Sequence, residues 1–120
     1  MLDLGMTLDA LQAAETINSL EIFLDRRRPQ EHIRHQLDLN YKIDKQSVIL
    51  FEIRPHWQDK DRTIESPVAK TTWVKAQSCW KIYWMRADLK WHSYAPDASV
   101  RTIEEFLKIV DEDKHGCFWG

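Results

Sequence analysis

Apolar residues recur from Thr7 to about Leu24 at Ala13, Ile17, Leu20 and Leu24, with Leu8 and Leu11 a turn or so earlier. That is the i, i+4, i+7, i+11 rhythm of one helix face, so the spacing predicts a helix over residues 7–25. Arg26, Arg27 and Arg28 stand where cations complement a helix C-terminus, and Pro29 forbids easy continuation. From Ile33 the period changes to two. Ile33, His35, Leu37, Leu39, Tyr41 and Ile43 alternate with polar neighbours, the mark of a half-buried strand. Asp44 to Gln46 is a turn, and Ser47 to Trp57 reads as a second strand whose regular pairing ends at Pro55, which has no N–H to donate.

A polar loop over Gln58 to Ser66 is longer than an ordinary hairpin connection, and loops of that kind often carry function. Pro67 opens a third strand that ends near Ala76. Gln77-Ser78 turns into a fourth, Trp80 to Arg86, and Ala87-Asp88 into a fifth, Leu89 to Tyr94. Connections this short force antiparallel neighbours. Thr102 followed three residues on by Glu105 is a capping box, and Ile103, Phe106, Leu107 and Val110 form the apolar face of a helix over 102–113. The expected fold is therefore α+β: an N-terminal helix, a five-stranded antiparallel meander over 33–94, and a C-terminal helix packed on the sheet in two layers. The apolar tail, residues 116–120, is expected to dock Phe118 and Trp119 on the sheet near Trp84 or Trp91, since undocked it would fray.

Length changes little in this picture: 120 residues make one globular domain, 1–120, at roughly one domain per 150 residues. No apolar run approaches the ~18 residues of a membrane span, and the acidic start Met1-Leu2-Asp3-Leu4 is unlike a secretory signal. Two cysteines, Cys79 and Cys117, fit a reduced cytoplasmic chain.

Charge changes more. The net is −2, but residues 1–25 hold five acids and no Lys or Arg, while residues 68–94 hold Lys70, Lys75, Lys81, Arg86 and Lys90 against Asp88 alone. The helices are acidic and the sheet is basic. Four of the six tryptophans, Trp73, Trp80, Trp84 and Trp91, fall in that basic stretch. Cations that track phosphates, interleaved with rings on which bases stack, are how single-stranded nucleic acid is held. The plainer alternative is that alternating tryptophans fill a core while the lysines between them face water.

A second set of charges lies among apolar residues. Glu52, Arg54 and His56 share one side of the second strand, Lys70 holds a comparable place on the third, and His92 and Tyr94 lie near the same end. This row reads either as a cross-strand salt-bridge network or as an anion pocket with Arg54 and Lys70 as donors. Asp38 followed by Glu52-Ile53-Arg54 loosely mimics the Asp and E-x-K layout of metal-dependent nucleases, with arginine in place of lysine. No C-x-x-C or H-x-x-x-H spacing joins Cys79, His92, His115 and Cys117 into a zinc site, and no glycine-rich phosphate loop or nucleophile elbow is present. No cofactor, metal ligand or catalytic residue is expected. The candidate binding residues are Glu52, Arg54, Lys70, Lys81, Trp84, Arg86, Lys90, Trp91 and His92. The expected partner is single-stranded nucleic acid or another anion, with no membrane. The rivals are a small enzyme centred on Glu52, Arg54 and Lys70, and a homodimer formed through the acidic helix or a sheet edge.

Four stretches together resemble a known family. They are Phe51-Glu52-Ile53-Arg54-Pro55-x-Trp57, Ala69-Lys70, Trp80-x-x-Tyr83-Trp84-x-Arg86-x-Asp88-x-x-Trp91-His92-x-Tyr94 and Asp113-x-x-Gly116-Cys117-Phe118-x-Gly120. The family is the set of short bacterial proteins described as domain of unknown function 3024, and the likeness runs from about Leu37 to the C-terminus. It implies a stand-alone bacterial protein of about this length and supplies no activity, ligand or catalytic residue.

Overall fold

The computed structural model describes residues 7–119, so Met1 to Leu4 and the final residue of the 116–120 tail lie outside the described residues. Helix α1 spans Ala10–Arg27 and starts two residues beyond Asp9's predecessor Leu8, because the Asp9 carboxylate caps it by accepting the Gln12 N–H at 2.8 Å. Its buried face is Thr16, Leu20, Phe23 and Leu24. That corrects the expected face: Ile17 is 43% exposed and Leu11 71%. Leu20 and Leu24 belong to both candidate stripes, and Phe23 decides between them because it buries the larger apolar area.

Where the alternation predicts strand from Ile33, the chain makes a short 3₁₀ turn, Glu31–Ile33, and the first strand begins only at Asp38. The Arg34 guanidinium, whose Nε donates to the Pro29 carbonyl at 2.9 Å, ties that turn to the end of α1. Strand β1 (Asp38–Asp44) turns through Lys45, at φ 57°, into β2 (Ser47–Pro55). Strand β3 (Thr63–Val74) starts four residues earlier than Pro67 suggests. A bulge between Leu50 and Phe51, with Val68 as the extra residue opposite, accommodates Pro67 inside the strand. Strand β4 is Cys79–Met85 and β5 is Trp91–Ser93.

The sheet has six antiparallel strands in place of the expected five. The extra one, β6 (Ser99–Val100), pairs with the first half of β4, whose second half pairs with β5. Pro96, in the 3₁₀ turn Ala95–Asp97, interrupts what is otherwise one edge strand along β4. A two-residue strand falls below anything that alternation can signal.

Helix α2 (Ile103–Glu112) has its predicted cap, Thr102 Oγ1 accepting the Glu105 N–H at 3.1 Å, and buries its predicted face of Ile103, Phe106, Leu107 and Val110. Both helices cover one side of the sheet, where they meet Leu39, Val48, Leu50, Ala69, Trp80 and Ile82 in a single apolar core. The tail joins this core at a different place from the one expected. Phe118 is buried with its ring 4.9 Å from Tyr94, and the Trp119 indole N–H donates to the Val110 carbonyl at 2.8 Å. No described helix is long and apolar enough to cross a membrane.

Candidate functional site

Cross-strand register sorts the candidate residues onto two faces. Trp73 pairs with Trp80, Ala69 with Trp84 and Trp84 with His92, while Leu39 pairs with Glu52. All of these lie on the helix side, where Trp73, Trp80 and Trp84 pack in or against the core. On the opposite face Lys42, Ile49, Lys70, Tyr83 and Ser93 form one row across five strands, with Ser47, Thr72 and Lys81 in the next row. Trp91 pairs with Met85 on this same face.

The predicted row of Glu52, Arg54 and Lys70 is therefore split. Glu52 and Arg54 pair with each other at 3.3 Å on the helix side, beyond the helices, and Lys70 stands on the far side of the sheet. The bulge between Leu50 and Phe51 does not rescue the row, because Lys70 faces Ile49. Asp38 is likewise unavailable as a partner of Glu52. Its carboxylate takes two bonds from the Arg28 guanidinium, at 2.9 and 2.7 Å, and a third from the Leu39 N–H at 2.8 Å. The Arg28 bond, reinforced by the Leu39 N–H, holds the Asp38 carboxyl below the usual carboxylate range against the opposing effect of burial. Among the described residues no three His, Cys, Asp or Glu side chains converge as metal ligands would. Burial, and then the Asp113 carboxylate, push the Cys117 thiol up, away from the thiolate a nucleophile needs.

The basic tryptophan block also separates. Trp84 is half-buried on the helix side with the Arg86 guanidinium 5.5 Å from its ring. His92 bonds the Asp88 carboxylate at 2.8 Å, and the same carboxylate accepts the Lys90 N–H at 3.0 Å, so Asp88, Lys90 and His92 knit the β4–β5 hairpin. The His92 bond and the Lys90 N–H hold the Asp88 carboxyl low. Trp91 is the member of the tryptophan block that reaches the uncovered face.

On that face the Lys70 ammonium lies 5.7 Å from the Tyr83 ring centroid and 5.9 Å from that of Trp91. Both distances fall within the ~6 Å reach of cation–π attraction. Lys42 lies 5.0 Å from the Phe51 ring and 3.0 Å from Glu65. Among the described residues no carboxylate stands within 4.0 Å of Lys70, Lys81 or Lys45. Lys45, Lys70, Thr72, Tyr83 and Trp91, with Asp44 as the one acid, help to line a shallow groove of about 600 Å³. None of the six side chains Ile49, Phe51, Ile53, Tyr83, Met85 and Trp91 belongs to the helix-side core. Tyr83, Lys42 and Lys45 are absent from the sequence-based set. The signal for Tyr83 was present in the alternation of β4, which puts Lys81, Tyr83 and Met85 opposite Trp80, Ile82 and Trp84.

The arrangement defines an α+β protein with two helices on one side of a six-stranded antiparallel sheet and an aromatic, cationic surface on the other. The chain belongs to the family described as Domain of unknown function (DUF3024), whose model matches residues 8–120 and so takes in helix α1 as well as the block from Leu37 onward. No curated protein and no solved structure matches it.

Proposed function

We propose that this chain is a non-catalytic binding module that lays a segment of single-stranded nucleic acid across its uncovered sheet face. The observation that carries the reading is Lys70 held between the Tyr83 and Trp91 rings, with Lys81 in the adjoining row and Lys45 at the rim of the same groove. A phosphodiester offers the ammonium groups an anion at each step, and the bases between offer flat faces to Tyr83 and Trp91. Stacking of one base is worth roughly 1–3 kcal/mol, and each phosphate neutralised adds a salt-dependent term through counterion release. The overall charge of −2 does not oppose this, because locally the groove sets Lys45 and Lys70 against Asp44 alone, with Lys81 in the adjoining row.

The test is a two-dimensional amide and indole spectrum titrated with mixed-sequence single-stranded DNA and RNA at low and moderate salt. The Trp91 indole and the Lys70, Lys81 and Tyr83 amides shift, and salt weakens the effect. The buried Trp80 indole stays still. Lys70→Ala and Trp91→Ala each weaken binding about tenfold, within the ~1–3 kcal/mol of one stacked base. Silence at both salts, or shifts confined to the helix side, overturns the reading.

A further inference from the structure

Beyond the open face, one corner of the molecule collects basic side chains around an exposed indole. The turn before β1 supplies His35, the end of β2 supplies Arg54 and His56, and the β2–β3 loop supplies Trp57 and Lys60. Together these line a cavity of about 630 Å³ into which no carboxylate projects. A volume of that order suits a small organic ligand.

Trp57 is 77% exposed, and its ring runs nearly parallel to His56, 20° apart at 5.8 Å. A single exposed apolar residue is ordinary on a protein surface. Four basic groups around it with no lining acid are not, in a chain whose acids outnumber its Lys and Arg 19 to 17. Of the loop's two carboxylates, Asp59 is turned back to accept the Asp61 N–H at 3.1 Å, and neither Asp59 nor Asp61 lines the cavity. Glu52 engages one terminal nitrogen of Arg54 at 3.3 Å, which orients the guanidinium and leaves its other N–H groups available. His56 Nδ1 accepts the N–H groups of Gln58 and Asp59, at 3.1 and 3.2 Å, so the ring proton resides on Nε2 as a further donor.

We propose that this corner is a second binding site, for a nucleoside monophosphate. The base stacks on Trp57, and the phosphate is taken by Arg54 and Lys60 with the His35 and His56 rings beside them. A guanidinium matches phosphate oxygens two at a time, and a tryptophan face accepts any base, so the pair reads the class of ligand and not its identity. The site is independent of the reading of the open face.

The experiment titrates the indole and arginine side-chain spectrum of the full chain with adenosine monophosphate, with adenosine and inorganic phosphate as separate arms. The Trp57 indole and Arg54 Nε–H signals move with the nucleotide, and each separate half binds at least tenfold more weakly. Arg54→Gln and Lys60→Gln each weaken the nucleotide about tenfold with the melting temperature held. Trp57→Ala reduces its affinity to that of inorganic phosphate, and Lys70→Ala leaves it unchanged. An oligonucleotide with and without a 5′-phosphate distinguishes a strand end from a free nucleotide, since only a strand-end site responds to the phosphorylated oligonucleotide. No shift at Trp57, full affinity in both Arg54→Gln and Lys60→Gln, or loss of affinity in Lys70→Ala overturns the proposal.

Discussion

Arg28 and Asp38 show how much one pair of side chains carries when both partners are held. The first follows the last turn of α1 and the second opens β1, so their two-bond contact clamps helix to sheet across the turn that replaces the expected start of the strand. The Asp38 side chain is 19% exposed, which keeps water from screening the pair as it would on an open surface. Because the folded protein holds this carboxyl below its ordinary value, the pair stabilises fully above the unfolded value of about 3.9 and loses its contribution as pH falls through the depressed folded value. Asp38→Asn is therefore expected to lose about 2 kcal/mol at pH 7, typical of bonds to a charged group. The gap to the wild type should begin to narrow below the unfolded value as urea titrations are repeated down to pH 3. A gap that is constant with pH would contradict this account of the pair. The three-arginine run was legible as a complement to the helix dipole. That Arg28 holds Asp38, while Arg27 holds Asp111 at 2.6 Å and lies 4.3 Å from the Trp119 ring, was not legible, because those partners come from elsewhere in the chain.

Elements read well from the chain where one apolar stripe dominates and poorly where two compete. Helix α2 has a single stripe and a Thr102 cap, and both stand as the spacing predicts. Helix α1 carries Leu11, Ile17 and Ile22 outside and Thr16, Leu20 and Phe23 inside, and periodicity cannot rank the two sides. The observed rotation has a direct test in denaturant titrations. Phe23→Ala is expected to cost about 3–5 kcal/mol as a large core truncation. Ile17→Glu should stay within about 0.5 kcal/mol, as a surface change does. A larger cost at Ile17 than at Phe23 would mean that the helix is turned the other way. Both outer edges of the sheet are also blunted. On β1 the N–H groups of Leu39 and Tyr41 are each taken at 2.8 Å by the preceding side chains, Asp38 and Asn40. On the far edge Pro96 breaks the line between β5 and β6.

The tail is where the whole molecule closes. Asp113, in the left-handed conformation at φ 40°, ends α2, and its carboxylate accepts the N–H groups of Cys117, Phe118 and Trp119 at 2.8, 3.2 and 3.0 Å. Gly116, at φ 64°, supplies the reversal this needs. Trp119 then bridges Val110 of α2 and Arg27 of α1, and Phe118 fills the space against Tyr94. Deleting residues 116–120 is expected to cost about 3 kcal/mol or more, on the order of a lost aromatic in a core. Asp113→Ala should reproduce much of that loss without removing an apolar atom from the tail, and thermal melts of the two variants provide the check. An unchanged melting curve for the deletion would mean that the tail is not part of the core. The α+β class, the two helices, the hairpin order and the Thr102 cap were legible from local spacing alone, because period, cap and turn each depend on neighbours a few residues apart. The division of the tryptophans from Lys70, the separation of Glu52 from Lys70, the sixth strand and the seat of the tail were not. A period of two relates side chains within one strand, whereas the covered face is chosen by where two helices and a tail find the most apolar area to bury.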